Sequence, residues 1–225
     1  MCGRFVRSNS IPEIAKEFGA DEPDLSLDPS YNVAPSQDIL IVVNDGRKRL
    51  VKCRWGFIPH WAKDEKMAYK MINARTETVA DKPSYRAAFK KHRCLVVASG
   101  FYEWKREGKV KSPYYILPRS GKPIGFAGLF SIWHPQDGTD FCTSTIITTG
   151  SNDLLSPIHD RMPVIIREED RDIWLDPSNS DSDKLLNLLR PYDSNDLVAY
   201  EISRAVNSPS NDSPDNILPV KAVEG

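Results

Sequence analysis

A cysteine stands at position 2, directly behind the initiator methionine. Its side chain is small, the kind that methionine removal tolerates. Once Met1 is gone, residue 2 carries a free amine and a thiol on adjacent carbons. With ordinary pKa values of about 8 and about 8.5, both groups are partly nucleophilic near neutral pH. Such a 1,2-aminothiol has a reaction open to no internal residue. The amine condenses with an aldehyde to give an imine, and the thiol then closes on it to form a five-membered thiazolidine. Because the second bond is intramolecular, proximity strongly favours it. A Met-Cys start alone is an ordinary accident of sequence. What accompanies it here is a series of polar residues set in short, unusual segments: Cys2-Gly3-Arg4-Phe5, Tyr31-Asn32-Val33-Ala34-Pro35, Trp55-Gly56-Phe57 ahead of Pro59, Asn73-Ala74-Arg75-Thr76-Glu77, Gly100-Phe101-Tyr102-Glu103-Trp104, His159-Asp160-Arg161-Met162-Pro163 and Ser203-Arg204-Ala205-Val206-Asn207.

Such residues need elements to position them. Ile11, Ile14, Ala15 and Phe18 have helical spacing, with Ser10 as N-cap and Gly19 as stop. A polar, Pro-containing loop leads to Tyr31. Residues 38–44 and 49–55 read as a hairpin about Asn44-Asp45-Gly46. Tyr85 to Lys91 predicts a short helix and Cys94 to Ala98 a buried strand. Tyr102–Lys105 and Tyr114–Leu117 bracket a basic turn at Gly108, a second hairpin. Residues 124–132 and 141–149 read as two strands around Pro135-Gln136-Asp137-Gly138. Val164–Ile166 reads as a strand, 168–176 and 182–190 as helices, and Val198–Ile202 as a last strand. Short strands in hairpins, helices at intervals and no βαβ repeat predict an α+β single domain. Its core is a mostly antiparallel, barrel-like sheet flanked by short helices. The domain is expected over 1–207, with 208–225, rich in Ser, Pro, Asn and Asp, as a loosely ordered tail.

Composition sets the outer bounds. The 225 residues, 40% hydrophobic and 27% charged, suit one core. A net charge of -1 predicts no polyanion partner by itself. Its distribution says more: acids crowd 13–28 and 168–196, while 47–122 is rich in Arg and Lys, which allows a basic face on a neutral protein. No apolar run approaches the roughly 20 residues that cross a membrane. The N-terminus lacks a signal-peptide core, so the expected location is cytoplasmic, or nucleoid-associated in a bacterium. Cys2, Cys53, Cys94 and Cys142 form no Cys-x-x-Cys pair and are expected as free thiols. The four histidines are equally dispersed, so neither a metal nor another cofactor is expected.

In this order the seven segments resemble the SRAP family (SOS response-associated peptidase), whose members are abasic-site processing proteins. The resemblance runs from Cys2 to about Asn207. It implies a compact α+β fold, a preference for single-stranded DNA, and a covalent thiazolidine link to the ring-opened abasic sugar. Carried over by position, it makes Cys2 the nucleophile, Asn73 the residue that senses the sugar near the new N-terminus, Glu103 the catalytic glutamate and His159 the histidine beside the sugar. Arg4, Arg75 and Arg161 match arginines that hold the DNA backbone. Asn32, Pro35, Trp55 and Trp104 complete the expected strand-binding set.

The residue types suit those roles. Glu103, between Tyr102 and Trp104, gains a raised pKa if buried, which suits general acid/base work near neutrality. His159 brings an imidazole, a side chain type that can pass a proton or orient a sugar hydroxyl, and Asn73 donates and accepts hydrogen bonds without changing charge. Arginine forks fit phosphates without reading sequence. Lys105, Arg106, Lys109 and Lys111 could extend the track, and Trp55, Phe57, Trp61 and Trp104 are candidates for base stacking. The expected partner is single-stranded DNA with abasic sites, including single-strand/double-strand junctions, and the expected form is a monomer. Two other readings stay open: a thiol autopeptidase that releases its own Met1, and a noncovalent single-strand binding module.

Overall fold

The computed structural model describes residues 2–24, 26–135 and 138–220. Twelve strands and four α-helices follow one another among them, with 3-10 turns between. They are β1 (Phe5–Arg7), α1 (Ile11–Phe18), β2 (Ser30–Val33), β3 (Asp38–Asn44), β4 (Lys48–Trp55), β5 (Asn73–Arg75), α2 (Arg86–Lys91), β6 (Arg93–Ala98), β7 (Gly100–Glu107), β8 (Val110–Pro118), β9 (Ile124–Trp133), β10 (Phe141–Gly150), β11 (Arg161–Pro163), α3 (Arg171–Leu175), α4 (Ser182–Asn187) and β12 (Leu197–Glu201).

Five strands close on themselves in the order β10-β4-β3-β6-β9, with β9 returning to β10. Every pairing in this barrel is antiparallel except β10 with β4, which meet in parallel at Thr143↔Arg54 and Ser144↔Trp55. β5 and β11 add to β10 outside the barrel path. The second sheet runs β12-β8-β7-β1-β2. Alternation along β3 divides the apolar residues between two clusters. Leu40 and Val42 pack with Phe18, Phe89 and Trp174 from the helices. Ile39 and Ile41 pack with Cys2, Phe5, Phe101 and Ile116 of the second sheet. The expected barrel-like α+β fold is therefore the observed one.

Local signals decided the local elements. Ser10 and Glu13 form a reciprocal capping box at the start of α1, and Gly19 ends it in the left-handed region at φ 58°. The β3–β4, β7–β8 and β9–β10 pairings lie where the sequence placed hairpins. Of the expected turn between β9 and β10, Gln136 and Asp137 lie outside the described residues. Elements that answer to more distant partners differ. The strand expected over Val164–Ile166 is at 161–163 instead, because the chain then crosses from β10 to β9. Val164 donates to Ile147 O and Ile166 to Gly125 O, so no ladder forms. The helix expected over 168–176 begins as a 3-10 turn and becomes α3 at Arg171. That expected over 182–190 stops at Asn187, four residues short of Pro191.

Two expectations fail for want of long-range information. Cys53 and Cys142, expected as free thiols, are joined in a disulfide with 4.6 Å between Cα atoms. They sit side by side on the parallel β4–β10 seam, which their separation of 89 residues does not announce. Cys2 and Cys94 are free and buried. Residues 208–220 of the supposedly loose tail are tied down. Asn32 Nδ2 donates to Ser208 O (2.9 Å) and Asn211 O (2.8 Å), Ser30 Oγ donates to Asp212, and Ile202 bridges to Pro219. No helix among the described residues is long and apolar enough to cross a membrane.

Buried Arg93 links the helical layer to β6. Its guanidinium donates to Phe89 O (2.7 Å) and Lys90 O (2.6 Å) at the end of α2, to Trp174 O (2.7 Å), to Asn179 O (2.9 Å) and to Asp176 O. It thereby satisfies the carbonyls that two helix ends leave unpaired. Arg93→Met should orphan several of them at once and cost about 3 kcal/mol or more. A melting curve should show Tm lowered by at least about 6 °C.

Candidate active site

The site lies where both sheets reach the same surface. β1 carries the chain out from Cys2 and Arg4 and pairs with β7 through Phe5↔Phe101. β7 begins at Gly100, where a Cβ would come within 2.6 Å of Ile116 O and the Tyr115 ring. Only glycine permits that approach to β8, and it sets Glu103 three residues on. From the barrel side, β10 holds β5 through Ile146↔Asn73 and Thr148↔Arg75, and β11 through Gly150↔Arg161. The result is a cleft of about 880 Å³ lined by Arg75, Glu103, Trp104, Arg106, Lys111, His159, Asp160, Arg161 and Asn207. Four arginines and lysines against two carboxylates make it a basic cleft in a chain of net charge -1.

Of the four residues expected to carry chemistry, Glu103 and His159 line the cleft. Cys2 lies fully buried and Asn73 donates from Nδ2 to Cys2 O at 2.8 Å. The buried Asn73 Oδ1 has no hydrogen-bond partner among the described residues. Burial, reinforced by the negative charge of Glu103, pushes the Cys2 thiol far up, so it stays protonated at neutral pH. Glu103 is itself 2% exposed. Its burial pushes the carboxyl above the ordinary carboxylate range, with His159 pulling the other way.

His159 Nε2 is 3.9 Å from Glu103 Oε2. On the far side of the ring, Nδ1 lies 3.0 Å from both the Arg161 amide and Asp160 Oδ1. The amide contact needs a lone pair on Nδ1 and the carboxylate contact needs a proton. The two contacts therefore suit different hydrogen placements on Nδ1, the amide one a bare nitrogen and the carboxylate one an Nδ1–H.

Glu103 makes a pH-dependent stability prediction. A carboxyl whose folded pKa is raised contributes fully below the unfolded carboxylate pKa, and that contribution is lost as pH rises through the folded pKa. Glu103→Gln carries no such charge. Its Tm should exceed that of the parent at pH 8, and the gap should close by pH 4.

The strand-binding residues divide. Arg75 is exposed in the cleft. Trp104 is half-buried and donates from Nε1 to Asn207 Oδ1 at 2.8 Å. Arg161 faces the cleft, but its guanidinium grips Glu77. Arg4 is also occupied, donating to Asn32 Oδ1 (2.8 Å), Val206 O (3.0 Å) and Asn207 O (3.4 Å). Pro35 is half-buried, outside the cleft lining.

Direct strand contact does not fit Asn32 or Trp55, both of which are fully buried. Asn32 braces Arg4 and residues 208–211, while Trp55 packs against Phe5 and donates to Ile72 O at 2.9 Å. Phe57 is core as well, and Trp61, 52% exposed, lines a separate groove with His60 and Phe130. Of the basic hairpin, Arg106 and Lys111 face the cleft, whereas Lys105 pairs with Glu107 at 2.6 Å. Glu77, Asp160 and Asn207 were missed as site residues, although each stands inside a segment singled out by sequence.

The sequence model of SOS response associated peptidase (SRAP) matches residues 1–209. The chain belongs to the SRAP family. Among SRAP relatives, the abasic site processing protein YoqW of Bacillus subtilis is 50% identical over 221 residues, covering 96% of this chain and 99% of YoqW. The abasic site processing protein HMCES of Gallus gallus is 32% identical over 226 residues, covering 86% of this chain and 67% of HMCES. A crystal structure of a protein from Bacteroides thetaiotaomicron superposes with a TM-score of 0.89 at 30% identity, covering 97% of this chain and all of that one. The SRAP match spans every residue that lines the cleft.

Proposed function

We propose that this SRAP protein captures abasic sites in single-stranded DNA as a thiazolidine on Cys2. The observation that carries the reading is the meeting of Asn73 with the Cys2 carbonyl and of Glu103 with His159 beside a basic cleft. Its relatives' names, abasic site processing proteins, supply the substrate class.

The chemistry follows from the electrostatics. Opening the closed hemiacetal sugar requires a proton to leave its hydroxyl and another to reach the ring oxygen, a task for Glu103 and His159. The new α-amine of Cys2 adds to the aldehyde, and loss of water gives the imine. The amine acts first, because the imine it forms is the carbon centre that the thiol then attacks. Sulfur then bonds to the imine carbon while its proton passes, through Glu103, to nitrogen. An open imine acidifies the neighbouring C–H and invites β-elimination with strand cleavage. Ring closure removes the C=N bond and with it that route.

The cations Arg75, Arg106 and Lys111 would track the phosphates without reading sequence. The test is denaturing electrophoresis of Met1-processed protein with single-stranded DNA carrying one abasic site. A heat-stable, slow band with abasic DNA alone, lost when the N-terminus is blocked, is the expected result. Equal noncovalent binding to damaged and undamaged strands with no such band would leave a plain single-strand binder.

A further inference from the structure

Glu77 is the one charged residue of the Asn73–Glu77 segment to which no role has been given, and its position is informative. It follows β5 directly, on a turn held by Thr76, whose amide and hydroxyl both donate to Thr148 O at 3.0 and 2.9 Å. From across β10, Arg161 places Nη1 and Nη2 on Glu77 Oε1 and Oε2, the second at 3.1 Å, and sends Nη2 to Thr148 O at 2.6 Å. The Arg161 side chain is 14% exposed and that of Glu77 is 56% exposed. The guanidinium is thus fixed in the wall, and its open face is covered by a carboxylate that solvent can reach. Arg161 holds the Glu77 carboxyl below the usual carboxylate range, with Arg75 contributing in the same sense. Two oxygens on a guanidinium fork, between two cations of a basic cleft, have the geometry that a phosphate would take.

We propose that Glu77 is a built-in stand-in for a strand phosphate, keeping Arg161 aligned before a strand arrives and competing with DNA for it. This rests on the reading of the cleft as a single-strand site. An incoming phosphate has to displace the carboxylate from Arg161, and the displaced charge stays beside the strand. Glu77 therefore sets how tightly, and with what salt dependence, an undamaged strand is held. A modest grip suits a protein whose lasting bond is to the aldehyde, because the noncovalent contacts then release intact DNA. Glu77→Gln keeps the shape and one acceptor and removes the charge, leaving Arg161 available to a phosphate.

The test is fluorescence anisotropy of a labelled, undamaged single-stranded oligonucleotide titrated with parent, Glu77→Gln and Glu77→Asp over a range of salt. Glu77→Gln should bind about two- to five-fold tighter at low salt, the size of one exposed ion pair. Its plot of log K against log salt should be steeper by about 0.7, the increment for one more phosphate neutralised on a single strand. Glu77→Asp keeps the charge and should retain the parental slope. Equal or weaker binding by Glu77→Gln with an unchanged slope, at unchanged Tm, overturns the proposal. So does a Glu77→Asp slope that follows Gln, since packing and not charge would then be responsible. Failure of the parent to bind the strand at all would instead remove the single-strand reading on which the proposal stands.

Discussion

Cys2→Ser, once freed of Met1, should lose the heat-stable adduct with abasic DNA while still forming an imine that borohydride traps. The serine keeps the α-amine but replaces the sulfur with a poorer nucleophile, so the ring does not close in useful yield. Adduct surviving heat should fall about 100-fold or more, a modest part of the effective molarities of about 10⁵ M and above that intramolecular attack reaches. Strand cleavage should rise at the same time, since the open imine keeps its route to β-elimination. This paired outcome separates the thiazolidine from every alternative that needs Cys2 only for packing. Wild-type levels of heat-stable adduct from Cys2→Ser would remove sulfur from the mechanism.

The second large effect concerns Trp55, and it is structural. Its indole is fully buried against Phe5 at a centroid distance of 5.2 Å, and its Nε1–H is spent on Ile72 O, one residue before Asn73. Trp55→Ala should therefore cost about 3–5 kcal/mol, the usual loss for a large aromatic cut from a core. For a chain of this size the melting midpoint should drop on the order of 10 °C. Trp104→Ala, at the half-exposed cleft wall, should change strand affinity with little change in Tm. If the two variants exchanged these behaviours, the assignment of Trp55 to the core would be wrong.

That pair of tryptophans also shows what sequence could and could not reveal. Hairpins and the cap of α1 were legible because their determinants lie within a few residues: Asn44-Asp45-Gly46 for one turn, Ser10 with Glu13 and Gly19 for the helix. The special chemistry of Cys2 was legible because it depends on chain position alone. The convergence of Glu103 with His159, and of Arg161 with Glu77, depends on which strands flank β10 and β7, and no local spacing encodes that. The same holds for Asn32, whose polar side chain reads as a surface group until Arg4 and residues 208–211 are seen around it. Strands of three or four residues, β1, β2 and β5, escaped notice because they are too short to show alternation. The Cys53–Cys142 disulfide escaped for a different reason: only closure of the barrel brings β4 beside β10.

The docking of β1 between β2 and β7 sets a timetable for the protein's manufacture. Cys2 leaves the ribosome early, but Phe101, against which Phe5 pairs, follows 99 residues behind it. At about 5–20 residues per second, that delay is about 5–20 s. In the finished fold Cys2 is fully buried, whereas during this interval the nascent chain has not yet made the strand that covers it, which on the proposed reading is when a host aminopeptidase would meet it unobstructed. If that enzyme does the trimming, the yield of active protein is decided during synthesis. On the thiazolidine reading, copies that fold before trimming would carry a Cys2 amine still blocked by Met1.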